Sequence, residues 1–283
     1  MVRHGAASFE VSLATDRDHL EANWAHGKRR LVLNGVETPS IADYWGTVPC
    51  VALVPWDIRL VTGPAAEARR FLSALASQLD RGAIHAFLRY RRLAGQRQAL
   101  VAAHNPDRSL LCLLTEQMRD CGEPLQQHRR RLVRRLAAHA ARAYREISGG
   151  SETLELTYNA GPWHVDVEAE LSAGRTLMGL QRDSLRFLIG KHDARHHASE
   201  GQLRSAAIAI RAAEIAVLRG AGQQSPVVLV DDVFGELDPA RRAALARLIP
   251  PGAQLIATVA DGRWIPETLV NAHLIQLPLA RDK

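Results

Sequence analysis

Val227-Val228-Leu229-Val230-Asp231-Asp232-Val233-Phe234-Gly235-Glu236-Leu237-Asp238 is the stretch on which the fold turns. Four consecutive apolar β-formers give the pattern of a strand buried on both faces of a parallel sheet. Two carboxylates then stand at its C-terminal end, where open α/β sheets bind ligands. Adjacent residues of a strand point to opposite sides, but at a frayed end both carboxylates can turn toward one ion. In nucleotide hydrolases such a strand places one acid on the Mg²⁺ shell and the next on the attacking water. The plain alternative is a solvated strand end, since many parallel strands end in Asp.

Upstream, Ala198-Ser199-Glu200-Gly201-Gln202-Leu203-Arg204-Ser205 opens a helix expected over about 201–219. Ser199 suits an N-cap, and Gly201 permits close backbone approach. The free N–H groups and positive dipole end of a helix start suit a phosphate. A simple cap explains Ser-x-Gly equally well on its own. The order is more specific: cap, helix, loop, double-aspartate strand, Glu236-Leu237-Asp238, then a helix over about 239–248.

Further out, residues 1–56 read as β-rich. Phe9–Leu13 alternates, Leu31–Leu33 runs into the Asn34-Gly35 turn pair, and Val51–Val54 stops at Pro55. Residues 64–147 carry helical spacing throughout, with helices predicted over about 83–103, 110–118 and 123–147. Strands are predicted again at Leu154–Tyr158, Trp163–Val167, Phe187–Ile189, Leu255–Thr258 and Leu274–Leu277.

Composition limits the rest. The 283 residues are 47 % hydrophobic and 23 % charged, which excludes a disordered tail or a disulfide miniprotein. The longest uncharged apolar runs are too short for a membrane span, and three scattered cysteines suit a reducing cytoplasm. The net charge is +6, carried almost wholly by arginine, which permits nucleic acid as a partner without requiring it.

The motif order resembles the C-terminal half of an ABC-type ATPase head, and the wider chain resembles the RecF family of DNA replication and repair proteins. The resemblance rests on Ser199-Glu200-Gly201-Gln202 with Ala207, Ala209, Ala213 and Glu214; on the double-aspartate strand; and on Pro55–Pro64 with Arg69-Arg70-Phe71-Leu72. Tyr90-Arg91-Arg92-Leu93 with Gln96-Arg97, and Gly179-Leu180-Gln181-Arg182-Asp183-Ser184-Leu185, are similar to further family segments. Ser73 stands where the family pattern has Asp.

The resemblance implies an α/β fold: an N-terminally incomplete ABC-type ATPase head (P-loop NTPase-like) of residues 1–63 and 148–283, with 64–147 inserted as a helical arm. It implies ATP and Mg²⁺ as cofactors, single-stranded or gapped DNA and recombination mediator proteins as partners, and an ATP-dependent homodimer. Asp231 would hold the metal and Asp232 would position water. Ser199, Gly201 and Gln202 would meet a γ-phosphate held by the other protomer, with Asp238 at the seam.

Two departures qualify this. No Gly-x-x-x-x-Gly-Lys-[Ser/Thr] occurs in the sequence, and that loop is the main phosphate cradle of such heads. The chain therefore reads as N-terminally shortened, with the strand beside Val227–Val230 missing, an exposed edge and poor solubility. Near Thr258-Val259-Ala260 no His stands where the family's heads have one, and Thr258 is the nearest polar residue. A non-hydrolysing DNA- or partner-binding remnant is the alternative.

The last predicted arm helix carries Arg131, Arg134, Arg135, Arg142 and Arg145 in one broad stripe at 100° per residue, with Leu132, Leu136, Ala143 and Ile147 opposite. Such a stripe can track phosphates without reading sequence. A solvated face in an arginine-rich chain explains it as readily.

Overall fold

The computed structural model describes residues 2, 5–150, 152–221, 225–269 and 272–276. An antiparallel meander opens the chain: β1 (Ser8–Ala14), β2 (His19–Ala25), β3 (Lys28–Leu33) and β4 (Val36–Glu37). Asn34 and Gly35 join the last two with φ of 52° and 80°, the left-handed pair that a tight two-residue hairpin turn demands. After α1 (Ile41–Tyr44), β5 (Cys50–Leu53) enters a second sheet, and a short 3₁₀ turn leads to α2 (Arg59–Thr62). Three long helices follow: α3 (Ala65–Leu79), α4 (Arg81–Val101) and α5 (Arg108–Ser148).

β6 (Leu154–Asn159), α6 (Val167–Ala173), β7 (Ser184–Ile189), β8 (His192–Asp193) and α7 (Ala194–His197) come next. The chain then forms α8 (Glu200–Arg219), β9 (Val227–Asp231), α9 (Pro239–Leu248) and β10 (Leu255–Thr258). β6, β7 and β8 pair antiparallel, while β10, β9 and β5 form a parallel sheet in that order. One contiguous core runs from Val51, Val228 and Val230 through Ala209, Ile210 and Ala213 of α8 to Leu132, Leu136 and Ala140 of α5. α5 lies along α8, so the helical segment and the sheet share their packing.

Five sequence expectations need correction. Val227–Val230 lacks no neighbour: Val228 pairs with Val51 on one side and with Leu255 on the other. The strand is also not buried on both faces. Val228 and Val230 are fully buried, but Leu229 is half-buried and its partner Ile256 is 51 % exposed.

The helices expected at 110–118 and 123–147 are one 41-residue helix running through Pro124. Pro124 removes one backbone hydrogen bond. Met118, Gly122 and Leu125 are nevertheless buried on both sides of it, and that packing carries the helix across. Gly122 is required there, because a Cβ would run into the Trp163 indole and the Tyr90 ring.

Trp163–Val167 is not a strand. The Trp163 side chain turns into α5, donating from Nε1 to Gln126 Oε1 at 3.0 Å. Asp166 caps α6 by accepting from Glu168 N–H at 3.1 Å. At the C-terminus, residues 274–276 are exposed and unpaired rather than an edge strand; Leu277 lies outside the described residues.

Candidate functional site

Asp231 ends β9 opposite Thr258, which ends β10. The Thr258 hydroxyl donates to Asp231 Oδ1 at 2.7 Å and accepts from the Asp232 backbone N–H at 3.1 Å. Asp232 adopts φ 55°, a left-handed conformation that Asp tolerates better than most residues. That turn sends the chain into a 3₁₀ segment, Val233–Glu236, pinned by buried Val233 and Phe234. Both carboxylates are exposed. Two carboxylates and a hydroxyl are hard oxygen donors of the kind Mg²⁺ takes.

The start of α8 is a complete capping box. Ser199 Oγ accepts from Gln202 N–H at 3.3 Å, and Gln202 Oε1 accepts from Ser199 N–H at 2.7 Å. Gln202 Nε2 donates to Glu152 Oε2 at 2.7 Å. Gly201 lies under the Arg241 guanidinium, whose nitrogens would be 3.5 Å from an added Cβ. Arg241 in turn binds Asp238 at 2.8 Å, and Asp238 Oδ1 caps α9 by accepting from Arg241 N–H at 2.9 Å. The Arg241 backbone bond, aided by its positive charge, holds the Asp238 carboxyl below the usual carboxylate range.

Arg204 joins Glu200 at 2.8 Å and also pairs with Glu236. The turn after Asp232 is thereby tied to the first turn of α8. Ser199, Gly201, Gln202 and Asp238 are thus brought to one surface. Asp231 and Asp232 sit at the sheet end, linked to that surface through Glu236.

The α5 arginines divide cleanly by burial. Arg131, Arg134, Arg135, Arg142 and Arg145 are exposed, while Leu132, Val133, Leu136, Ala140, Ala143 and Ile147 are buried. Arg135 also donates to Val217 O of α8 at 3.2 Å, and Arg142 lies 3.9 Å from Glu146. His128 and His139 flank the stripe; burial, chiefly, and nearby arginines lower their pKa values. Residues 64–147 hold 16 arginines and 7 carboxylates, a balance of +9 against +6 for the whole chain, so the remainder stands at −3. The positive charge belongs to the helices.

Arg129 interrupts the exposed pattern. It is buried and pairs with Asp183 Oδ2 at 2.6 Å, donates to Leu180 O at 3.2 Å and reaches Ser73 Oγ at 2.9 Å. Asp183 also accepts from Gln126 Nε2 at 3.0 Å, Gly161 N–H at 2.8 Å and the Tyr158 hydroxyl. Arg69 donates to the Asp183 carbonyl at 2.9 Å, and the Tyr90 hydroxyl accepts from Leu180 N–H at 2.9 Å. Motif segments around residues 69–73, 90 and 179–185 therefore meet in one buried polar hub.

The Arg129–Asp183 pair has one trace in the sequence: Arg129 falls four residues after Leu125 on the apolar face. The buried Arg97–Glu170 pair joining α4 to α6, and Glu152, Arg204 and Arg241 around the cap, carry no local signal.

No family model matches the chain. The DNA replication and repair protein RecF of Symbiobacterium thermophilum is 32 % identical over 253 residues, covering 83 % of this chain and 68 % of that protein. RecF of Moorella thermoacetica is 32 % identical over 295 aligned positions, covering 98 % of this chain and 79 % of that protein. A solved structure of the recombination mediator protein RecF of the RecFOR pathway superposes with a TM-score of 0.78 at 23 % identity, over 92 % of this chain and 77 % of that one. That likeness gives the fold, an α/β ATPase head of ABC type. Sequence identity over most of both proteins gives the rest: this chain belongs to the RecF family of DNA replication and repair proteins.

Proposed function

We propose that the chain binds DNA in an ATP-dependent manner in recombinational repair, with residues 64–147 as the arm that meets DNA and residues 1–63 and 148–283 as the head. The observation that carries the DNA half is the charge split: +9 on the helices, −3 elsewhere, with the α5 arginines exposed in one stripe. The aromatic residues of this segment, Phe71, Phe87, Tyr90 and Tyr144, are all buried. The arm therefore offers phosphate-pairing cations and no stacking platform for splayed bases. That favours the duplex part of a gapped substrate over single-stranded DNA.

In the ATP half, Ser199, Gly201 and Gln202 face a γ-phosphate carried by a second protomer, and Asp238 lies at the seam of the homodimer. Asp231, steadied by Thr258, takes the Mg²⁺ shell. The oxygen donor set at the sheet end fits that ion. The ion would supply charge neutralisation on the phosphate oxygens, while Asp232 orients the water. The 283 residues contain no Gly-rich phosphate loop, so the residues assigned here are those that reach across to the γ-phosphate, and none is assigned to the cradle on the protomer that carries it. A recombination mediator is the partner class that fits this family role.

Filter binding of a gapped duplex with and without Mg²⁺–ATPγS tests the whole reading. Retention should increase with nucleotide and fall when Ser199 is replaced by Arg. Equal retention of DNA by a protein whose five stripe arginines are alanine would remove the DNA assignment.

A further inference from the structure

Both polar ends of the Gln202 side chain are committed inside the protomer. Oε1 accepts from Ser199 N–H, and Nε2 donates to Glu152 Oε2, each at 2.7 Å. The same Glu152 oxygen accepts the Tyr144 hydroxyl at 3.4 Å. Tyr144 is fully buried near the end of α5, and burial together with the Glu152 charge pushes its pKa up to about 12. A carboxylate oxygen thus stands on the amide that the proposed function turns toward phosphate. Among the described residues, the partners of Glu152 are Tyr144 and Gln202, both neutral. Arg241, whose charge reaches Tyr144, is engaged with Asp238.

Glu152 reaches this position on the loop leaving α5. Gly149 and Gly150 have φ of 80° and 92°, backbone that favours glycine and turns the chain back toward α8.

We propose that Glu152 is a positioning residue that takes the place of a phosphate oxygen on Gln202 and holds the start of α8 closed until a polyphosphate displaces it. This rests on the assignment of residues 199–202 as phosphate-facing. Two anionic oxygens compete for one amide donor, and a carboxylate at that distance repels an incoming phosphate. Opening needs the Gln202–Glu152 bond broken and the Glu152 charge moved aside.

The test is a tripolyphosphate titration of the full chain, followed by the backbone amide resonances of Ser199, Gly201 and Gln202. Wild type is compared with Glu152→Gln and Glu152→Asp. Glu152→Gln keeps hydrogen-bonding ends for Tyr144 and Gln202 while removing the charge, and its dissociation constant should be about fivefold lower than wild type. Glu152→Asp keeps the charge and should show no tightening. A purely structural role would leave Glu152→Gln at wild-type affinity. That result, or equal tightening in Glu152→Asp, overturns the proposal while leaving the phosphate-facing assignment standing. If tripolyphosphate shifts none of the three resonances in any of the proteins, the proposal falls together with that assignment.

Discussion

Arg129 and Asp183, 54 residues apart in sequence and both buried, lie 2.6 Å from one another at the junction of α5 with the turn before β7. Around them are Ser73 of α3, Gln126 of α5, the Gly161 backbone and the Tyr158 hydroxyl of β6. Removing one member of a buried ion pair leaves the other charge without compensation, which costs more than the pair contributes. Asp183→Asn should therefore lower unfolding stability by about 3–5 kcal/mol, measured by urea denaturation. Loss below 1 kcal/mol would mean that water already reaches Arg129.

Thr258 serves both aspartates at the sheet end with a single hydroxyl. Thr258→Val removes the donor to Asp231 and one acceptor of the Asp232 N–H; Thr258→Ser keeps both. The valine variant should lose about 1 kcal/mol of stability and the serine variant much less, compared by thermal denaturation. Equal loss in the two would assign the effect to the methyl group.

The strand, the cap and their order were legible in the sequence because each is local. Consecutive β-formers mark β9, Ser199 and Gln202 form a box three residues apart, and Asn34-Gly35 sets its own turn. Trp163–Val167 misled because alternation over five residues takes no account of an indole anchored on Gln126 or of a cap at Asp166. The continuous α5 was hidden by Pro124, whose local cost is outweighed by packing on either side. Glu152 and Arg241 could not be read as neighbours of the cap, since only the tertiary fold brings them to Gln202 and Gly201.

Alkaline pH should weaken the fold through its tyrosines. Burial raises the pKa of Tyr90, Tyr144 and Tyr158, with Asp183 also acting on Tyr158 and Glu152 on Tyr144, which reaches about 12. Below about pH 10 the phenols are protonated in both folded and unfolded chains, and the contribution is complete. Above it the unfolded chain releases protons that the folded chain retains, so stability falls as pH rises toward the folded values. Absorbance at 295 nm should show the phenolates of Tyr90 and Tyr158 forming only as the protein unfolds. Tyr144→Phe should flatten the decline of the denaturation midpoint between pH 10 and 12. An unchanged slope in that variant would place the Tyr144 titration in water.

The α5 stripe makes a quantitative claim about salt. Arg131, Arg134, Arg142 and Arg145 are exposed, and of these, among the described residues, only Arg142 approaches a carboxylate, Glu146 at 3.9 Å. Replacing the four with alanine should leave the melting temperature near that of wild type, since no buried group loses a partner. If each arginine neutralises one phosphate of a duplex, the slope of log K against log salt should become shallower by about 3–4. The weakening should be uniform across DNA sequences, because phosphate contacts carry no base information. His128 and His139 sharpen the test. Their lowered pKa values keep them neutral at pH 7, so acidification through their titration adds positive charge beside the stripe. Duplex binding should tighten only as pH falls below the ordinary histidine range, and His128→Gln with His139→Gln should abolish that gain. A wild-type slope in the four-alanine protein would put the DNA contact elsewhere on the chain.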